Sequence, residues 1–271
     1  MMFVRINMKS QISAIILTYN EELNIETCLK NIFGWADEIF IVDSYSTDKT
    51  LEIAKKYNCK IFQHPFENQA VQFNWALDNL EIKNEWIIRL DADEYLTEEL
   101  KNEISEKINN PSAGINGYYM KRRVYFMGKW IRHGGYYPTW ILRLFRKGKG
   151  RSEVKKMDEH IILSEGEAKK LKNDFVDDNK KNLTWWIGKH NDYSSRESSD
   201  FLAGNFGINK RKYYYRLPMF FRSWLFFIYR FFIRLGFLDG KRGLIFHFLQ
   251  GFWYRFLVDA KIYEAKRNEK N

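Results

Sequence analysis

Residues 86–94 read Trp86-Ile87-Ile88-Arg89-Leu90-Asp91-Ala92-Asp93-Glu94. A short apolar run that ends in acids predicts a buried strand followed by a polar loop. Side chains at positions i and i+2 of an extended segment point the same way, so Asp91 and Asp93 can face one ligand. Carboxylate oxygens are the ligands that Mg²⁺ and Mn²⁺ prefer. Taken alone, such a triplet is weak evidence for a metal site, because a solvated acidic turn explains most Asp-x-Asp triplets.

The chain before this stretch alternates between strand and helix periods. Apolar runs predict strands at residues 12–17, 38–42 and 60–63. Helical spacing predicts helices at residues 24–33, 46–57 (beginning at Ser46 or Thr47), 68–80 and 97–109. This order predicts an α/β fold with a mostly parallel central sheet and helices on both of its faces.

Polar residues follow three of the predicted strands, at the edge where parallel sheets bind ligands. They are Thr18, Tyr19, Asn20 and Glu21 after the first strand, Asp43 and Ser44 after the second, and Asp91, Ala92 and Asp93 after the fourth. Because the carboxyl ends of parallel strands share one edge, we expect one binding site. Capping of the helices that follow is the alternative explanation for Asn20, Glu21 and Asp43.

The pattern changes after residue 110. Alternating segments rich in Tyr and Val predict strands at residues 117–126 and 137–145, separated by basic, glycine-rich loops. This half is therefore expected to be antiparallel or mixed. Arg143 and Arg146, on the second of these strands, are candidates for binding phosphate, with ordinary solvated strand residues as the alternative.

Residues 213–266 are dominated by Phe, Tyr, Trp, Leu and Ile, with arginine every several residues. Two amphipathic helices are predicted, at 219–235 and 243–263, with a break at 236–240. At about 100° per residue, Arg222, Arg230 and Arg234 fall on one side of the first helix. Aromatic rings suit the headgroup layer and arginine suits anionic lipid, so residues 213–263 are predicted to lie on an anionic membrane surface. A helical cap or an oligomer interface is the alternative.

The composition indicates a folded protein of 271 residues, 45% of them hydrophobic, with a net charge of +10 that favours a polyanionic partner. Cys28 and Cys59 have no CxxC partner, which predicts buried free thiols and a reducing compartment. The sequence has neither a signal peptide pattern nor an uncharged apolar run of about 18 residues. We therefore expect a cytoplasmic protein, bound peripherally to the inner face of the cytoplasmic membrane.

Three motifs resemble glycosyltransferase family 2: residues 15–22 (Ile-Ile-Leu-Thr-Tyr-Asn-Glu-Glu), 42–50 (Val-Asp-Ser-Tyr-Ser-Thr-Asp-Lys-Thr) and 86–94. Residues 72–77, 143–146 and 236–240 are similar to its lipopolysaccharide-core β-1,4-glucosyltransferase branch. The resemblance implies the GT-A fold and an inverting, metal-dependent transfer of a sugar. The implied donor is UDP-glucose, and the acceptor is a lipid-linked or lipopolysaccharide-core glycan. The catalytic domain would be residues 1–212, with a nucleotide-binding half at 10–110 and an acceptor half at 111–212, before a tail at 213–271.

The resemblance also implies binding roles for single residues. Asp93 and Asp91 would hold Mg²⁺ or Mn²⁺, and His190 is a further metal candidate, although a lone histidine is more often structural. The three polar clusters would bind the nucleotide sugar, together with Gln69, Asn74 and Arg89. Arg89 lies within a predicted strand, where a buried charge needs a partner.

Inverting transfer requires a carboxylate that removes the proton of the acceptor hydroxyl. Glu159 and Asp158 are the candidates, and Glu159 is favoured because the branch has a glutamate beside a histidine here. In this chain His160 follows Glu159, whereas the branch often has the reverse order. A surface acidic pair beside Lys155 and Lys156 is the alternative.

Two other classes of protein compete with this interpretation. A sugar-nucleotide nucleotidyltransferase is expected to have a glycine-rich loop after the first strand, and residues 18–22 contain no glycine. A nucleic-acid-binding protein is expected to interleave aromatic and basic residues on an exposed sheet. Here the aromatic residues cluster in predicted helices and the sheet edge is acidic, so no nucleic-acid partner is expected.

Overall fold

The structure is a computed structural model that describes residues 10–153, 159–204 and 214–268. Asp158 lies outside the described residues. The strands are β1 (Ser10–Thr18), β2 (Ala36–Asp43), β3 (Lys60–Gln63), β4 (Trp86–Asp91), β5 (Glu94–Leu96), β6 (Ile115–Phe126), β7 (Lys129–Trp130), β8 (Thr139–Arg146), β9 (Gly150–Ser152), β10 (Ile161–Leu163) and β11 (Glu167–Asp177). The helices are α1 (Ile25–Ile32), α2 (Thr50–Lys55), α3 (Gln69–Asn79), α4 (Glu98–Asn109), α5 (Leu183–Leu202), α6 (Phe221–Ile228), α7 (Gly240–His247) and α8 (Tyr254–Asn268).

The central sheet has the strand order β3-β2-β1-β4-β8-β6-β11-β5, with β7 paired to β6. The neighbours β3, β2, β1 and β4 are parallel, whereas β8 is antiparallel to both β4 and β6. The parallel first half and the mixed second half are thus as predicted. Strands β9 and β10 form a separate antiparallel pair.

Apolar side chains cover both faces of the parallel strands. On β1, Ile12, Ala14 and Ile16 belong to a core cluster shared with α1 and α4. Ile15 points the other way, into the cluster that contains Phe73 of α3. A strand buried on both faces needs a continuous apolar run rather than alternation, which is the pattern of residues 12–17.

Helix α2 begins later than the sequence predicts. The expected start was Ser46 or Thr47, but the helix begins at Thr50. The Ser46 hydroxyl donates to Asp43, and the Thr47 backbone N–H donates to Asn20 Oδ1 over 2.8 Å. These groups bind neighbouring loops instead of capping a helix.

Helices α3 and α4 begin where the sequence predicts, and each start has a side-chain cap. The Asn68 side chain accepts the Val71 N–H over 2.9 Å, and Thr97 Oγ1 accepts the Leu100 N–H over 3.2 Å. Such caps satisfy backbone donors that have no partner inside the helix. Both helices therefore start where the local sequence sets them.

The chain divides into two compact units. The first contains the described residues up to 123 and residues 138–180, and the second contains residues 124–137 and those from 181 onward. The border predicted at residue 212 lies inside the second unit. There Glu197 of α5 accepts hydrogen bonds from Tyr254 and Arg255 of α8.

The C-terminal helical runs lie close to the predicted ranges, at residues 221–233 and 240–268. Each contains a π-helical segment, Tyr229–Ile233 or Phe248–Trp253, and the predicted break is confirmed by the 3₁₀ helix Gly236–Asp239. Arg222 is buried against Asp259, and Arg230 lies 3.8 Å from the Tyr136 ring, while Arg234 is exposed. The three arginines therefore do not share one surface. No described helix is long and apolar enough to cross a bilayer.

Candidate active site

Three parallel strands bring the predicted clusters to one edge of the sheet. The register pairs Thr18 at the end of β1 with Asp43 at the end of β2. On the other side of β1, Leu17 pairs with Asp91 at the end of β4. The carboxylates of Asp43 and Asp91 therefore flank the same strand end, at the edge where parallel sheets bind ligands.

Asp43 is fully buried at this edge, and four groups hold its carboxylate. Thr18 Oγ1 donates to Oδ1 over 2.9 Å, and the Ser46 backbone N–H donates to Oδ2 over 2.8 Å. The Ser46 hydroxyl and Gln63 Nε2 donate as well. A buried carboxylate needs such partners, and together they fix its orientation.

Ser44, next in the chain, is held from α3. Gln72 Nε2 donates to Ser44 Oγ over 3.1 Å, and Gln72 Oε1 lies 2.8 Å from His64 Nδ1. The His64 ring stacks on Trp75 with centroids 4.5 Å apart. Gln72 therefore orients the loop after β2. The sequence shows Gln72 only as part of a branch motif.

The loop after β1 is tied to the start of α2. Asn20 has a φ of 52°, in the left-handed region that asparagine tolerates better than most residues. Its Oδ1 accepts the Thr47 N–H, and the Glu21 N–H donates to Thr50 Oγ1 over 2.7 Å. The Tyr19 ring stays 58% exposed. The loops after β1 and β2 thus form one bonded rim, with an aromatic ring accessible to a ligand.

Asp91 is oriented by two buried neighbours. Arg143 Nη2 donates to Asp91 Oδ2 over 3.0 Å and to Glu94 Oε1 over 2.5 Å. Glu94 Oε2 accepts the backbone N–H of Asp91 over 2.9 Å. Burial raises the pKa of Glu94 to about 8, Asp91 adds to the rise, and Arg143 opposes it. Burial lowers the pKa of Arg143, but the two carboxylates outweigh that effect and raise it.

Arg89 lies on the other side of Asp91. It is buried, its Nη2 donates to Gln69 Oε1 over 2.9 Å, and Nη2 lies 3.5 Å from Asp91 Oδ1. Burial lowers the pKa of Arg89, and Asp91 and Glu159 act to raise it. Glu159 is therefore close enough to act electrostatically on an arginine that touches Asp91. The contacts of Arg89 thus bring Gln69 and Asp91 together.

Asp93 is only partly buried, unlike its neighbour Ala92. Asn179 Nδ2 donates to Asp93 Oδ2 over 2.7 Å, and the Asp178 backbone N–H donates to the Asp93 carbonyl over 3.0 Å. The segment after β11 therefore supports the acidic loop. Asn179 lies 86 positions from Asp93.

Asp91 and Asp93 fit a metal ion that is held partly by the protein and partly by a bound ligand. They do not fit an ion that is enclosed by protein side chains alone. Within the described residues, no group of three or more His, Cys, Asp and Glu side chains could hold a metal ion. Mg²⁺ is usually bound by one or two carboxylates, with substrate phosphates and water as its other ligands. The partly exposed Asp93, two residues from the oriented Asp91, matches that donor set.

Asn74 and Arg146 have partners away from the acidic edge. The Asn74 amide exchanges two hydrogen bonds of 2.9 Å with the Ser152 backbone, which fastens β9 to α3. Arg146 pairs with Glu85 and lies 4.8 Å from the Trp86 ring, at the opposite end of β4. Their predicted ligand contacts stay predictions, and the observed contacts are structural.

His190 lies in the second unit, on α5. Its ring stacks on Trp186 with centroids 3.5 Å apart, and Nδ1 bonds to the Trp186 carbonyl over 2.8 Å. Burial lowers its pKa to about 4. These contacts give His190 a packing role within its own unit, and its metal-binding role stays a prediction.

The family model described as "Glycosyl transferase family 2" matches residues 13–160. The chain belongs to glycosyl transferase family 2. It is 29% identical to the lipopolysaccharide core biosynthesis glycosyltransferase LpsC of Rhizobium meliloti, over 94% of this chain and 93% of that protein. It is also 42% identical to an uncharacterized glycosyltransferase of Rickettsia bellii, over 35% of this chain and 31% of that protein. The chain thus spans about a third of that relative.

A solved structure supports the fold over most of the chain. The mannosyltransferase PcManGT of Pyrobaculum calidifontis, in complex with GDP-Man and Mn²⁺, has a TM-score of 0.52 and 15% identity. The alignment covers 93% of this chain and 87% of that one. Together with the family match, this establishes the predicted GT-A fold. The family match and the similarity to LpsC support the predicted glycosyltransferase activity.

Sequence reasoning missed two residues of the site. Glu94 was visible as the acid directly after Asp93, and its spacing of three from Asp91 was the only local signal. Asn179 had no local signal, because its contact with Asp93 depends on the pairing of β11 with β5. Both residues act on the acidic loop from buried or distant positions.

Proposed function

We propose that the chain transfers a sugar, with inversion at the anomeric carbon, from a nucleoside diphosphate sugar to a glycan. The observation that carries the proposal is the shared strand edge, where Asp43 and Asp91 flank the end of β1. UDP-glucose is the proposed donor, on the resemblance to the glucosyltransferase branch. The similarity to LpsC supports a lipopolysaccharide-core or lipid-linked acceptor.

The buried carboxylates and the loops around them bind the donor in this proposal. Asp43 accepts a hydrogen bond from the base or ribose of the nucleotide in place of the bond from Gln63, which at 3.3 Å is the longest of its four. Asp91 receives the ribose or shares the metal, while Arg89 offsets the negative charge beside it. Exposed Tyr19 lies against the nucleotide. Asp43 and Asp91 are already held in their orientations, so their contacts with the donor cost little ordering.

A divalent ion is part of the proposal. Asp93, with Asp91 beside it, would hold Mg²⁺ or Mn²⁺ together with the diphosphate of the donor. When bound, such an ion neutralises charge that develops on the leaving diphosphate. Asn179 keeps the Asp93 carboxylate in place for that role.

Glu159 is the proposed general base. It is partly buried and close enough to Arg89 to affect its pKa. A carboxylate at this place can accept the proton of the acceptor hydroxyl while the oxygen attacks the anomeric carbon. Asp158, its neighbour, remains the second candidate.

The acceptor is proposed to be anchored in lipid, so the chain would work at the inner face of the cytoplasmic membrane. A net charge of +10 favours attachment to that anionic surface. The same charge could serve nucleic acid, but the acidic strand edge opposes phosphate unless a metal ion intervenes.

Calorimetry with UDP, GDP and dTDP, each with Mn²⁺ and with EDTA, tests the donor site. We expect one nucleotide to bind in Mn²⁺ and not in EDTA, and Asp93→Ala to abolish that binding. Asp37→Ala, which removes an exposed acid at the start of β2, is the matched control and should bind normally. Nucleotide binding that ignores both EDTA and Asp93→Ala would contradict the metal site.

Glu159→Gln tests the base. It should lower kcat about 10²- to 10⁴-fold, the usual contribution of general base catalysis, and leave nucleotide affinity unchanged. Asp158→Asn should have a much smaller effect. The reverse ranking would transfer the role to Asp158.

A further inference from the structure

Helix α6 and the π-helical segment after it expose their apolar side. The exposed residues repeat at intervals of three and four, and they are Phe221, Trp224, Leu225, Ile228, Tyr229 and Phe232. The buried side contains Phe227 and the polar residues Arg222 and Ser223. A surface helix of a soluble domain normally buries its apolar stripe and exposes the polar one. This helix instead buries two polar residues and leaves four of its large apolar residues exposed.

A buried ion pair fixes that orientation. Arg222 Nε donates to Asp259 Oδ1 over 2.8 Å, and its Nη2 binds the same oxygen. The Phe220 backbone N–H, at the start of the helix, donates to Asp259 Oδ2 over 2.8 Å. Rolling the helix to bury its apolar stripe would separate two buried charges, which is strongly unfavourable.

Ring contacts extend the stripe into one continuous surface. Trp224 lies 4.2 Å from Phe252, whose ring is 5.3 Å from Phe248 and 5.6 Å from Phe256. Phe248 and Phe256 are themselves exposed. We call this surface the aromatic face, and it consists of Phe221, Trp224, Leu225, Ile228, Tyr229, Phe232, Phe248 and Phe256. Contiguous apolar surfaces of this kind mark sites of protein or membrane contact.

The charges around the aromatic face distinguish between two possible occupants, a second copy of this chain and a lipid surface. Residues 214–263 contain two acids, Asp239 and Asp259, and both are buried. Exposed cations lie in the same segment, at Arg234, Lys241 and Arg242. A second copy of this chain would bring the same cations and no exposed carboxylate from this segment. An anionic lipid surface supplies both an apolar layer and the missing negative charge.

We propose that the aromatic face binds an anionic lipid surface, with its rings in the headgroup layer and Lys241 and Arg242 against the lipid phosphates. The inference rests on the proposed function for its purpose, which is access to a lipid-linked acceptor. Lipid binding itself is measurable without any transfer reaction, so the two proposals can fail separately.

Sedimentation of the full chain with vesicles tests the proposal. The vesicles are phosphatidylcholine with and without phosphatidylglycerol. We expect binding to the anionic vesicles, and at least a tenfold loss in Trp224→Glu/Ile228→Glu. Lys241→Gln/Arg242→Gln should weaken binding to anionic vesicles about 25-fold, roughly fivefold per cation, without affecting neutral ones. Phe33→Glu, at an exposed aromatic residue of the first unit, is the matched control and should bind like the parent chain.

Each other outcome overturns the proposal. If the Trp224→Glu/Ile228→Glu variant still binds anionic vesicles like the parent chain, the lipid contact lies elsewhere. A parent chain that ignores the vesicles but forms a dimer, which the same variant dissociates, would make the face a self-association surface. A monomer that binds no vesicles would also overturn it. Calorimetry with UDP and Mn²⁺ on the same variant shows whether the nucleotide site is intact, which keeps the two proposals distinct.

Discussion

Glu94 is buried directly after the Asp91-Ala92-Asp93 triplet, and it orients Asp91. Its carboxylate accepts the Asp91 backbone N–H and one bond from Arg143, and Arg143 also binds the Asp91 carboxylate. Side chain and backbone of Asp91 are therefore fixed by the same pair of residues. We infer that Glu94 and Arg143 are positioning residues for the donor site.

Arg143→Met should lower kcat about 100-fold, since a displacement of about 1 Å at a reacting centre has that effect. Arg143→Lys should recover part of the activity, because lysine restores one charged donor. Arg146→Met is the control on the same strand, where the arginine pairs with Glu85 instead. Steady-state kinetics and thermal melting of each variant would separate a positioning role of Arg143 from a general loss of stability. Equal losses in Arg143→Met and Arg146→Met would indicate general destabilisation.

His190 should make stability depend on pH. Burial lowers its folded-state pKa to about 4, below the unfolded value near 6.5. The unfolded chain therefore binds the proton first, so stability falls as the pH drops through this window. Between about pH 7 and 5 the loss should be about 2 kcal/mol.

His190→Phe keeps a ring to stack on Trp186 and removes the titrating group. The free energy of unfolding, measured in urea at pH 7 and at pH 5, should therefore differ less between the two pH values for the variant than for the parent chain. The variant should still bind nucleotide with Mn²⁺, if packing is the role of His190. Loss of that binding would instead support its predicted place among the metal ligands.

At the level of elements, one buried acid connects the loop after β7 to the 3₁₀ helix. Asp239 accepts the backbone N–H groups of Arg132 and His133, and its Oδ1 lies 2.8 Å from His133 Nδ1. Burial raises the pKa of Asp239, but the His247 ring, whose Nε2 lies 3.7 Å from Oδ2, and the hydrogen bonds from His133 and the backbone outweigh it and lower the pKa to about 2. The motif at residues 236–240 therefore has a structural role inside the second unit.

Asp239→Asn should destabilise the protein by about 2–4 kcal/mol, because an amide oxygen cannot replace both carboxylate acceptors in a buried place. The contribution of Asp239 should be complete above about pH 4 and lost as the pH falls towards 2, since its folded pKa is depressed. Urea unfolding measures both effects. Asp192→Asn, at an exposed acid of α5, should be neutral. Equal stability of the two variants would refute the role of Asp239.

At the level of the whole molecule, the second unit is assembled from separate parts of the chain. Buried Glu197 of α5 depends on residues beyond position 212, because it accepts from Tyr215, Tyr254 and Arg255. Ending the chain at residue 212 should leave this carboxylate buried without those partners. Such a loss is strongly destabilising.

We therefore expect calorimetry of the 1–212 chain to lack the unfolding transition of the second unit. Deletion of residues 269–271 is the control and should change little. An unchanged melting profile of the 1–212 chain would instead support the predicted border between catalytic domain and tail.

Much of the first unit followed from local sequence. The continuous Ile run of β1, the caps at Asn68 and Thr97, and the acids after β4 each depend on neighbours within a few residues. Periodicity and capping are local properties, so the strand order in the chain and the common edge of Thr18, Asp43 and Asp91 were predictable.

Other features were decided only by tertiary structure. Arg143 reaches Glu94 across 49 positions, and Asn179 reaches Asp93 across 86. The stripe on α6 has the same period whether it faces a core or solvent, and only the ion pair between Arg222 and Asp259 turns it outward. The spacing of apolar residues along the sequence predicts that a helix has an apolar face. Whether that face is buried depends on which distant residues pack against it.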